Sequence, residues 1–169
     1  MIEAIRYHFE CNAIVNQAMI EVLAKAGQAF RDRPLEGHFK SPAAILDHVL
    51  LSDMVWMKSF GAIKPYAFLD DPVLATIPAW GSRLTADHEA FAALRGKLDG
   101  LYLSFASELE EEDLHKILSR TRVSGERMEK VFWKALLHIL NHQTHHRGQV
   151  SQCLEEAGFP HDYSNMIFI

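Results

Sequence analysis

Four long stretches of this chain repeat their apolar residues every three or four positions, and almost none of it alternates apolar with polar. Recurrence at that period puts apolar side chains on one stripe of a helix, and a striped helix must bury its stripe against another. The first stretch runs from Ile2 to about Gly27, with Ile5, Phe9, Val15, Met19 and Leu23 on its apolar side and Gly27 at the position where a helix turns off. The second opens at Ser41-Pro42, where serine can accept from a free first-turn N–H and proline has none to lose, and runs to about Phe60 before Gly61. The third opens near Ser82 or Thr85 and continues to about Leu109, although Gly96 and Gly100 each weaken it by roughly 1 kcal/mol relative to alanine. The fourth spans about Glu126 to Ala157, ended by Gly158 and Pro160.

The connections sharpen this expectation. Residues 61–81 hold Pro65, Pro72, Pro78 and Gly81, a stretch long enough to run the length of a bundle and let its flanking helices lie parallel. Glu108 and residues 110–113 form an acidic run that disfavours a helix C-terminus, so a break belongs there, read as a solvated turn. Residues 114–125 fit either a short hairpin arm or an extra helical turn. The tail from His161 to Ile169 ends apolar and is expected to dock. The fold class expected is all-α: a four-helix bundle, antiparallel or crossover, forming a single domain over residues 1–169.

Composition excludes several functions. With 17 basic and 22 acidic residues the net charge is −5, so nothing favours general nucleic-acid binding, which needs a basic surface. No stretch approaches the roughly 18 apolar residues of a membrane span. The N-terminus, with Glu3, Arg6 and Glu10, lacks the apolar run of a signal peptide. The two cysteines, Cys11 and Cys153, form no closely spaced pattern, which suits free thiols in a cytoplasmic protein.

Ten histidines are the unusual count, and their placement matters more. Within His138–Gln149 of the fourth helix, setting His142 at zero and turning about 100° per residue puts His138 near −40° and His146 near +40°. His145 points further towards the polar side. Imidazoles at i and i+4 project from one face and can share a cation, but a catalytic zinc usually takes three protein ligands. The third must come from another helix. His48 is the first candidate because Ile45, Val49 and Trp56 share or flank its face; His8 and His88 follow. A single histidine on an apolar face is more often a hydrogen-bonded core residue than a ligand, but several together each need a partner. Cys153 lies on the histidine face about 10 Å beyond His146, too far to share an ion, and reads as a small buried hydrophobe. Arg147 and Gln143 fall within the apolar arc, so Arg147 needs either a carboxylate such as Asp53 or a subunit interface.

The segment NHQTHHRGQV, preceded by LLHIL, resembles the signature of the DinB family of metalloenzymes, also called DinB/YfiT-like. ILDHVLLSDMVWM resembles that family's second-helix motif of a histidine followed by an aspartate and a tryptophan. HFECNAIVNQAMI is similar to its first helix, so the likeness runs through nearly the whole chain. It implies a four-helix bundle, often a homodimer, with a divalent metal held by His48, His142 and His146. It also implies that Tyr7, Asn12 and Trp56 line the pocket and that His138 supports a ligand.

Imidazole ligands suit zinc or nickel, with iron and copper also accommodated. Three neutral imidazoles leave the ion a full dication, able to acidify water or activate a thiol. The resemblance implies an enzyme acting on a small-molecule substrate, either a thiol-dependent S-transferase using a low-molecular-weight thiol or a hydrolase. The alternative is a non-catalytic, stress-associated metal-binding or scaffold protein.

Overall fold

The computed structural model describes residues 1–121 and 124–169, with residue 168 described in its backbone alone. Four helices form as the apolar periodicity requires: α1 (Ile2–Arg31), α2 (Pro42–Ser59), α3 (His88–Glu108) and α4 (Phe132–Glu156). Between α3 and α4, strands β1 (Ile117–Thr121) and β2 (Arg127–Val131) pair as an antiparallel hairpin. Short 3-10 turns punctuate the connections, three of them on the path from α2 to α3.

Side-chain contacts fix the direction of every helix. Asp47, Asp53 and Phe60 along α2 and its end meet Thr85, Arg95 and Phe105 in the same order, so α2 and α3 run parallel. The long connection therefore crosses the bundle. Phe9 stacks on Tyr102 while Arg31 bonds Thr85, which makes α1 antiparallel to α3. His48 faces His142, Trp56 faces His138 and Phe60 faces Phe132, which makes α2 antiparallel to α4. The core at one end is aromatic: Phe60 lies 4.8 Å from Phe105 and 5.1 Å from Phe132 between ring centres, and all three are fully buried. Burying such a ring is worth about 1.5–3 kcal/mol.

The helix ends show where local signals held and where tertiary contacts overrode them. Ser41 caps α2 as expected, accepting from the Ala44 N–H. At Gly27 the chain does leave helical geometry (φ 72°, ψ −174°), but it re-enters it and stays helical to Arg31. α3 begins later than Ser82 or Thr85: Asp87 is its cap, accepting from the Ala90 N–H. Thr85 is unavailable as a cap because its hydroxyl donates to Asp47 Oδ1 at 2.6 Å and accepts from Arg31 at 2.8 Å. α4 begins at Phe132 rather than Glu126, because residues 127–131 pair across the hairpin with Ile117–Thr121. Both readings of residues 114–125 are met in part: a 3-10 turn at Asp113–His115 precedes the hairpin strand Ile117–Thr121, with 122 and 123 outside the described residues.

The chain breaks at the acidic run as expected, yet one member is not solvated. Asp113 is fully buried and ion-paired to Lys64 at 2.8 Å and Lys116 at 2.6 Å. The tail docks: the Tyr7 hydroxyl donates to the Met166 carbonyl, and His161 pairs with Ser151 of α4.

Candidate metal centre

His48 comes from the middle of α2, and His142 and His146 come from successive turns of α4. Because the two helices are antiparallel and in contact, the three rings meet. The Nε2 atoms of His48 and His146 each lie 3.1 Å from Nε2 of His142. All three donor atoms fall within 4.8 Å of one another. A tetrahedral ion with metal–nitrogen bonds near 2.0–2.1 Å holds its imidazole nitrogens about 3.3 Å apart, so the set has the spacing such an ion requires. Among the described residues no fourth His, Cys, Asp or Glu joins this cluster. His8 and His88, the other candidates for a third donor, are not members.

The rings are held ready to donate lone pairs. His146 Nδ1 lies 2.8 Å from Gln149 Oε1, which can only accept, so the ring proton sits on Nδ1 and Nε2 is free. Burial, reinforced by neighbouring imidazoles, pushes His142 down to about 3. Burial, with His146 and His38 nearby, pushes His48 down to about 4. Burial also lowers His146, partly offset by its bond to Gln149. At neutral pH the three rings are uncharged, the form in which imidazole binds a cation.

A buried polar clip sits under the cluster. Asp53, one and a half turns beyond His48 on α2, is 1% exposed and accepts from Arg95 of α3 at 2.5 Å and Tyr102 of α3 at 3.0 Å. It also accepts from Gln143 of α4 at 3.1 and 3.2 Å. Gln143 adjoins His142, so this carboxylate ties α4 to α2 next to the two helices' ligand candidates. Arg147 is not bonded to Asp53, one of the two partners expected for it. It donates to Asn12 at 2.9 Å and Asn16 at 3.2 Å on α1. Burial, and then Arg95, lower Arg147 to about 10, which leaves it charged at neutral pH.

The expected pocket residues divide. Trp56 packs 5.2 Å from His138, whose own ring is 6.0 Å from His142, so it approaches the cluster only through that intervening ring. Asn12 is instead engaged by Arg147, and Tyr7 by the tail. Cys153 is buried with a free thiol, consistent with its reading as a small hydrophobe. Two aromatic neighbours had no periodicity to reveal them because they lie in connections. Phe39 is 5.0 Å from His48 and 5.4 Å from His146, and Trp80 is 5.7 Å from His48.

A histidine from the second helix and an i, i+4 pair from the fourth, converging in a four-helix bundle, is the arrangement that the resemblance implied. The family model for the DinB family matches residues 1–165. The chain belongs to the DinB family. It is also similar to Protein DinB of Bacillus subtilis (strain 168), at 26% identity over 164 residues, covering 95% of this chain and 92% of that protein. No solved structure is significantly similar to it. In this DinB-family chain the cluster of His48, His142 and His146 could hold a metal ion. No helix among the described residues is long and apolar enough to cross a membrane.

Proposed function

We propose that this chain is a metal-dependent enzyme of the thiol-dependent S-transferase or hydrolase type, with a divalent ion held by His48, His142 and His146. The observation that carries this reading is the meeting of three uncharged imidazoles, with the Nε2 atoms of His48 and His146 each 3.1 Å from Nε2 of His142 and no fourth protein donor among the described residues. Three protein ligands and an open position mark a catalytic site, whereas structural sites are closed by four. When bound, such an ion supplies Lewis acidity that lowers the pKa of a thiol or water in the open position. The protein's own part is to hold the rings neutral and aimed. Gln149 fixes the His146 proton on Nδ1, Asp53 and Gln143 set α4 against α2, and Phe39 and Trp80 pack beside His48. The imidazole set suits zinc or nickel, with iron also accommodated, and in the S-transferase reading the cosubstrate is a low-molecular-weight thiol.

The test is turnover with generic electrophiles plus small thiols, and with activated esters, using metal-loaded and chelated protein. Activity that appears with metal, disappears on chelation and is lost in His142→Ala supports the reading. Stable metal binding without turnover of any thiol or ester would favour a structural ion in a non-catalytic protein.

A further inference from the structure

A recess of about 370 Å³ lies between the C-terminal half of α4 and the tail of the chain, apart from the metal cluster. Its volume falls in the range of small-molecule sites. The chain builds it by turning back on itself. α4 ends where Gly158 takes φ 83°, a conformation costly for any residue with a side chain, and the Phe159 N–H bonds the Leu154 carbonyl at 2.9 Å. Phe159 then packs against Phe30 of α1, with ring centres 6.5 Å apart. The tail therefore runs back beside the helix it has left, and His161 meets Ser151.

The Ser151 hydroxyl does not do what a hydroxyl inside a helix commonly does. Such groups bond the carbonyl one turn back, as Thr144 bonds Leu140 at 3.0 Å. Ser151 Oγ bonds Nε2 of His161 instead. The other ring nitrogen, Nδ1, lies 2.7 Å from the Phe159 carbonyl, which can only accept. In the neutral ring the proton is therefore on Nδ1, and Nε2 presents its lone pair to the serine hydroxyl. A nucleophile bonded to a base, with the base oriented by a third group, is the arrangement that activates serine.

Both side chains line the recess and both are partly exposed, so a ligand can reach them. Arg147 lines it too, one turn before Ser151 on the same face of α4. Its bonds to Asn16, Asn12 and Thr144 use Nη1 and Nη2 and leave Nε uncommitted, and it pairs with no carboxylate among the described residues. Glu155 and Asp162 complete the charged lining. Two carboxylates against one guanidinium disfavour an anionic substrate.

We infer that Ser151 is a second reactive centre, a nucleophile with His161 as its base, and that it takes acyl groups from small uncharged esters. Ser151 Oγ bonds the ester carbonyl carbon as its proton passes to His161 Nε2. The carbonyl oxygen becomes an oxyanion, whose charge Arg147 offsets. The bond from that carbon to the leaving oxygen then breaks and the Nε2 proton goes to the leaving oxygen, giving an acyl-serine and a free alcohol. Water, deprotonated by His161 in the same way, releases the acyl group as a carboxylic acid and restores Ser151. No step uses the metal, so the inference stands independently of the function proposed above.

The experiment uses the full chain stripped of metal by a chelator. It is treated with an alkyl fluorophosphonate, which phosphonylates an activated serine with loss of fluoride, and separately with p-nitrophenyl acetate. Intact mass and peptide mapping should show one phosphonyl group per chain, on Ser151, and the ester should release a burst of p-nitrophenol of about one equivalent. Ser151→Ala should abolish both. His161→Gln should slow labelling of Ser151 by about a hundredfold or more, the usual contribution of a general base. Because His161 also holds the tail, Tyr7→Phe is the control: it removes the tail's bond to α1 through Met166, leaves both members of the pair intact, and should label at the unaltered rate. Label scattered over several serines, Ser151 labelled equally fast in His161→Gln, or Tyr7→Phe labelled as slowly as His161→Gln would overturn the inference.

Discussion

Gln149 Oε1 sits 2.8 Å from His146 Nδ1, one helical turn along α4, and an amide oxygen there dictates which ring nitrogen carries the proton. If His146 is a metal ligand, this bond selects the tautomer that presents Nε2 to the other two rings. Gln149→Leu should weaken metal affinity about 10–100-fold while leaving the unfolding midpoint of metal-free protein nearly unchanged. Competition against a calibrated chelator measures the first and a urea titration the second. Unaltered affinity would show that Gln149 does not set the ring.

The low values of His48 and His142, near 4 and 3, give metal-free protein a definite acid response. In the unfolded chain these rings take up protons as pH falls through about 6.5. In the fold they resist until pH nears 4 or below. A folded pKa lowered beneath the unfolded value contributes stability above the unfolded pKa, and that stability is lost as pH falls towards the folded values. Urea midpoints of metal-free protein should therefore decline from pH 6.5 to 4.5. His142→Gln should flatten the decline, and an equally steep slope in that variant would contradict the assignment.

Asp53 and Arg95 are both essentially buried, and Arg95 also pairs with Asp99 at 2.8 Å, so removing Asp53 leaves the guanidinium with one of its two carboxylates. Asp53→Ala should destabilise the fold by about 3–5 kcal/mol, because a buried guanidinium losing a partner is left undercompensated. The triple change Asp53→Leu, Arg95→Met and Asp99→Asn should recover most of that loss, since replacing a whole buried ion group by uncharged residues is often neutral. Denaturant unfolding of the three proteins decides it. A triple variant no more stable than Asp53→Ala would show that Tyr102 and Gln143, which also bond Asp53, carry the interaction.

Much of this was legible in the residues. The helical stripes located all four helices, Ser41-Pro42 located the start of α2, and the spacing of His142 and His146 put both on one face. The long segment with three prolines allowed a crossover without deciding it against an antiparallel bundle. What remained hidden depends on contacts between segments distant in sequence. Residues 126–131, ERMEKV, contain good helix formers, and only pairing with Ile117–Thr121 makes them a strand. Thr85 looks like a helix cap until Asp47 claims its hydroxyl. The partners of Arg147 are two asparagines on α1 that no periodicity links to it. Phe39 and Trp80 lie in connections, where apolar period carries no information, so their place beside His48 emerges only once the chain is folded.

The central claim is that three rings from two helices hold one ion, and metal binding to chain purified without a histidine tag tests it most directly. Zinc titrated against a competing chelator should bind one ion per chain. His48→Ala, His142→Ala and His146→Ala should each reduce that affinity by more than about a hundredfold, beyond the usual loss of a supporting residue. Zinc held as tightly by His48→Ala as by the unaltered chain would contradict the account.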